Sequence, residues 1–168
     1  MEPETIRLWT PMFLRRRAPR ALKRDGDRTT ILLGKEERAL LVDLAEQFGS
    51  VLAADNDPDL RRLYPAAYAD DAERDADYAG LVHEDLLGTR LDAVDGLIGS
   101  ADAESINDEE LAAWMQVLNG LRLLLGTRLD VSEEDEFEPE AADAPTRALL
   151  AWLGFVLEEA VESAAAGL

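Results

Sequence analysis

The densest group of basic side chains in the chain is the run Arg15, Arg16, Arg17, Arg20, Lys23 and Arg24. Guanidinium groups bind phosphate oxygens in a bidentate fork, so this run is a candidate for phosphate contact or for docking an acidic protein. No helix rich in Arg, Asn or Gln follows it, so base readout in a groove has no candidate residues. A third use is a clamp onto acidic helices of the same chain. The opposite chemistry appears at Glu133, Glu134, Asp135, Glu136, Glu138 and Glu140. That stretch lacks the Asp-x-Asp-x-Asp-Gly spacing of a calcium loop, so a solvated acidic loop is expected and no metal. Phe137, apolar in that setting, is a possible anchor for a partner.

Catalytic patterns are scarce. His83 is the only histidine. Its neighbours Glu84 and Asp85 point away from it on a helix, and the positions three and four residues off hold Ala79, Gly80, Leu86 and Leu87. A surface histidine is expected rather than a general base. No serine sits in a nucleophile elbow, and no glycine pattern matches a phosphate or dinucleotide loop. The chain has no cysteine, which removes disulfides, thiolate metal sites and thiol nucleophiles. No catalytic residue and no cofactor is expected. An enzyme or enzyme subunit with a carboxylate site remains the alternative from another class.

Charge is unevenly spread. Residues 1–35 carry nine basic and four acidic side chains, net +5, and residues 36–168 carry eight basic and 32 acidic ones, net −24. So acidic a body repels phosphate backbones and suits a partner with a basic face. The start of the chain is acidic first and basic later, unlike a secretory signal, and no apolar run reaches 18 residues. The expected location is cytoplasmic.

The elements that must position these residues read as mainly helical. Apolar residues make up 47% of 168, enough for the core of one domain. Residues 5–13 and 28–34 are rich in β-branched and aromatic types and are expected to pair as a small hairpin across a long loop, making 1–34 a basic β element. From Lys35 the apolar residues Leu40, Leu41, Leu44, Phe48, Val51 and Leu52 recur every three or four positions, predicting a helix to about Asp55. Residues 58–71 read as a linker with a short helix through Leu60 and Leu63. A third segment runs from about Ala72 to Ile98, with Gly80, Gly88 and Gly96 along one side, either permitting close packing or loosening the helix. Asn107 with Glu110 forms a capping-box pattern that starts a helix over 108–128, apolar enough to sit at the centre. Residues 131–144 form the acidic loop, and Pro145 opens the last helix. The expected fold is a bundle of about four main helices with a small N-terminal β element, its helical body spanning 35–166.

Two strings stand out. LLGTRLD occurs at 86–92 and again at 124–130, which reads as coincidence or shared helix-end chemistry rather than a repeat. The second copy lies in LNGLRLLLGTRLDV, residues 118–131. There Asn119, Arg122 and Gly126 share one side of the helix, followed by Thr127 and Arg128. A buried guanidinium needs an acid, so one reading is a core ion pair with a neighbouring helix. The other is a polar stripe setting the register of a homodimer or partner helix.

This string, the acidic stretch after it and LLAWLGFVLEEAV at 149–161 resemble an actinobacterial domain-of-unknown-function family, named for AosR-type oxidative-stress transcriptional regulators. The resemblance spans about residues 28–161, and residues 118–131 are its specific part. It implies a stress- or sulfur-linked role, near genes for a Clp protease adaptor and cysteine biosynthesis. It also implies action on transcription, with a sigma factor as one route. It supplies no catalytic residues. Sensing oxidants through a cysteine pair is impossible in this chain. Together these readings give a regulatory protein that works by protein–protein contact as a homodimer. The rival is a direct DNA binder using the basic segment.

Overall fold

The computed structural model describes residues 20–64, 72–129 and 142–168, with the backbone alone at 61 and over 72–81. Two short strands, β1 (Leu22–Asp25) and β2 (Arg28–Ile31), open the described chain. They pair antiparallel, with Asp25 opposite Arg28 across the two-residue turn Gly26-Asp27. Gly26 takes φ +62°, which such a turn needs and a side chain would resist. A third strand, β3 (Ser105–Ile106), adds to the far side of β2, giving the order β1-β2-β3.

The hairpin is therefore tighter than the sequence reading. Its first strand comes from the end of the basic run and not from 5–13, which lies outside the described residues. Asp25-Gly26 closes two short strands directly, so no long loop is needed.

Four helices follow among the described residues: α1 (Lys35–Ala54), α2 (Ala72–Ser100), α3 (Asp108–Arg128) and α4 (Ala144–Ala165), with a 3-10 helix at Pro58–Arg62. Their ends carry the signals expected of them. Asn107 accepts from the Glu110 N–H at 2.8 Å while the Glu110 carboxylate accepts from the Asn107 N–H at 2.8 Å, closing the box that starts α3. Glu36 and Glu37 occupy the first turn of α1, where the helix dipole favours them. Pro145 lies in the first turn of α4, where its missing N–H costs nothing.

α3 is the central helix. It packs on α1, α2, α4, the 3-10 helix and β2. Leu111, Trp114, Val117, Leu118, Leu121, Leu124 and Leu125 are all buried along it. Trp114 is fully enclosed and donates its indole N–H to the Ser100 hydroxyl at 2.9 Å. Gly120 lets α1 approach: a Cβ there would stand 2.5 Å from the Phe48 ring. Two contacts set α4 antiparallel to α3. Arg24 binds Asp108, at the start of α3, while lying against Gly167, just past the end of α4. Arg122, in the second half of α3, lies against Gly154, in the middle of α4. The fold is a helical bundle with a small sheet near its N-terminal end, as the periodicity predicts.

Candidate functional site

The basic run divides at the first described residue. Arg15, Arg16 and Arg17 lie outside the described residues. Arg20 is exposed and pairs with Glu159 at 3.5 Å and Glu162 at 3.6 Å on α4. Arg24 binds Asp108, the first residue of α3. That contact holds the Asp108 carboxyl below its ordinary range and the Arg24 guanidinium above its own. Lys23, between them, is exposed. Two of the six basic residues are thus committed to acids of the same chain.

The anchor of this arrangement was not singled out from the sequence. Glu159 is only 8% exposed. Its carboxylate accepts from the backbone N–H of Ala21 and from that of Leu22 at 2.9 Å, besides pairing with Arg20. A carboxylate so buried is stable only when such donors compensate it. It also covers part of the outer edge of β1, which would otherwise offer unpaired groups to another strand. The visible signal was a glutamate on the apolar side of a helix that begins 15 residues earlier, at Ala144.

The residues of the 118–131 string do not share one environment. Asn119 and Arg122 are exposed, and Gly126 and Thr127 are buried. The Thr127 hydroxyl donates back to the Leu123 carbonyl at 2.8 Å. The expected acid partner of Arg122 is absent among the described residues. Arg128 makes that pairing instead, donating to Asp57 at 2.5 Å and Asp59 at 3.3 Å. It thereby ties the 3-10 helix to the end of α3. The Asp57 carboxyl is held below its ordinary value, first by the Asp59 N–H it accepts and then by Arg128. Arg122 fails as a core ion pair because the apolar stripes of α3 turn it outward.

The two copies of LLGTRLD also differ. The first lies inside α2, whereas the second ends α3, so they share no helix-end role. Of the glycines in α2, Gly96 packs on Ala113 of α3, a Cβ there meeting it at 3.2 Å. Gly88 and Gly99 face open space. Gly80 lies in the part described by backbone alone. At about 100° per residue, Glu84, Asp85, Gly88, Asp92, Asp95 and Gly99 share one face of α2. All six are exposed, and the four carboxylates form no ion pair among the described residues.

A family model described as domain of unknown function, DUF2017, matches residues 19–164. The chain belongs to that family. No curated protein and no solved structure matches it. The family's span starts one residue before Arg20 and takes in the hairpin, the four helices save the last residue of α4, and every ion pair named above.

Within this DUF2017 domain the only histidine has a carboxylate partner that helical spacing does not reveal. His83 Nε2 lies 2.6 Å from Asp55 Oδ2, across the junction of α1 and α2. Asp55 caps α1 in the left-handed conformation, φ 50°, which turns its side chain out of the helix line. The Tyr64 ring stands 4.7 Å from the imidazole, and the Arg90 guanidinium lies 5.2 Å from the Tyr64 ring centre. Burial pushes the Tyr64 phenol up, and the charge of Arg90 opposes that shift. Arg90 also donates to the Leu63 carbonyl at 2.6 Å. The cluster joins three elements, and the neighbour rule for a single helix could not find it because the partner lies 28 residues away. The acidic stretch 133–140 and Phe137 lie outside the described residues. No helix among the described residues is long and apolar enough to cross a membrane.

Proposed function

We propose that this protein is a cytoplasmic regulator that acts by docking a basic protein partner, not by catalysis. One observation carries the reading. The arginines around the hairpin are spent inside the chain: Arg20 on Glu159 and Glu162, Arg24 on Asp108, and Arg28 on Ser105 with Glu110 at 4.0 Å. The surplus acids on α2 are not. What the described surface offers to another macromolecule is therefore mostly negative charge, at its most regular on Glu84, Asp85, Asp92 and Asp95. Such a face steers a basic partner and repels nucleic acid. Gly88 and Gly99 lower the relief of that face, so a partner backbone can approach closely.

We read this docking as part of stress-linked transcription, with a sigma factor as the partner class, on the resemblance of residues 118–131 to AosR-type regulators alone. The reading also carries a homodimer. Direct DNA binding through the basic segment is weakened by the commitment of Arg20 and Arg24, and Arg15, Arg16 and Arg17 are the residues it would have to use.

Capture from a nuclease-treated native lysate separates these readings, with the wild-type chain and a Glu84→Gln, Asp85→Asn, Asp92→Asn, Asp95→Asn variant run side by side. Partner docking predicts a basic protein held by the wild type, released as salt rises and not held by the variant. An identical set on both chains contradicts it. Duplex binding that falls steeply with salt and disappears with Arg15→Ala, Arg16→Ala and Arg17→Ala would favour the DNA reading.

A further inference from the structure

α4 carries apolar residues well beyond its inner face, with its charges gathered on one flank at Arg147, Glu158, Glu159 and Glu162. Its inner face buries Leu149, Trp152, Leu153, Val156 and Ala160. At about 100° per residue its outer face carries Leu150, Ala151, Gly154, Leu157 and Val161, beside Arg147, which pairs with Asp143 at 2.8 Å, and the exposed Glu158. Ala151 is exposed, Val161 is 52% exposed, and Leu150 and Leu157 are half-buried. Leu150 and Leu157 pack in part against the core, so the open apolar part of this face is Ala151 and Val161.

Two charges flank the open face. The Arg122 guanidinium lies against Gly154 from α3, exposed and with no acid partner among the described residues. Glu158, one turn along α4 from Gly154, is exposed and likewise unpaired among them. The two carry opposite charge, and they stand about one helical turn apart along α4.

We infer that this face of α3 and α4 is the contact between two copies of the chain, related by a two-fold axis at the level of residue 156. α4 then meets its counterpart antiparallel. The axis sets Arg122 of each copy against Glu158 of the other, and exposed Ala151 against exposed Val161. A small side chain thus faces a larger one at both ends, and both unpaired charges find partners twice over. Self-complementarity of this kind is what a two-fold contact requires. A partner of uniformly basic surface would answer Glu158 but oppose Arg122, so a second copy fits the charges better. α4 has 22 residues and is about 33 Å long, so with the flank of α3 the contact can run over several helical turns of each copy.

The surface deepens the homodimer reading and is separate from the acidic face of α2. Sedimentation equilibrium on the full chain tests it, with circular dichroism confirming that each variant stays helical. The wild type is expected to be a dimer. Arg122→Glu and Glu158→Arg are each expected to weaken it about tenfold or more, because each sets like charges together twice. Arg122→Glu combined with Glu158→Arg is expected to restore the wild-type constant to within about threefold. A dimer indifferent to all three variants would leave the homodimer standing and overturn this surface. So would single reversals that weaken it without rescue by the pair. A wild type that stays monomeric would overturn both.

Discussion

The hairpin end and the outer face of α2 handle charge in opposite ways. At the hairpin end, Arg20, Arg24 and Arg28 all meet acids of the same chain, and Glu159 is enclosed among its donors. On α2, Glu84, Asp85, Asp92 and Asp95 are exposed with no ion-pair partner among the described residues. The first region uses charge to hold the structure together, and removing it should cost stability. The second carries two exposed helical glycines, Gly88 and Gly99, and is the face proposed for docking. The contrast indicates where a partner would dock, because charge already satisfied within a chain has little left to offer.

The largest break in this comparison is Glu159→Ala. It leaves the Ala21 and Leu22 N–H groups without their acceptor and should destabilise the chain by about 2–4 kcal/mol, read as a lower urea midpoint. A change under about 0.5 kcal/mol would mean that the hairpin is not anchored there. Gly88→Ala and Gly99→Ala run the other way. Each should stabilise by about 0.5–1 kcal/mol, because each lies in a helix and faces open space. If these positions serve docking, the same changes weaken partner capture while raising the melting temperature. Asp92→Asn with Asp95→Asn should move stability by no more than about 0.5 kcal/mol and reduce capture, which separates surface charge from folding.

The smallest effect is a pH dependence. The folded-state values of Asp57 and Asp108 are depressed, so their contribution to stability is fully present above the ordinary carboxylate pKa of about 4. It is lost as pH falls through their lower folded values. Arg128→Ala should flatten the part due to Asp57 in urea midpoints measured from pH 5 downward.

Much of the fold was legible because its signals are local. The Asn107–Glu110 box placed the start of α3 at Asp108, and the apolar period from Lys35 placed α1. The centrality of α3 followed from apolar residues on more than one of its sides. The hairpin was misjudged although Asp25-Gly26 was visible, because β-rich composition at 5–13 outweighed the turn. The site was less legible. Arg122 and Arg128 sit six residues apart in one string, yet among the described residues only Arg128 finds acids, because the 3-10 helix is folded against that end of α3. The same limit hid the His83–Asp55 pair and the clamp of Glu159 on Ala21 and Leu22. Each joins residues that only the packing of whole elements brings together.

Hydrogen exchange on the chain, alone and with the basic partner recovered by capture, tests the central claim most directly. The account predicts that binding slows exchange in the part of α2 from Glu84 to Gly99 and leaves the hairpin at 22–31 unchanged. Protection confined to the hairpin, with α2 exchanging as in the free protein, would contradict it.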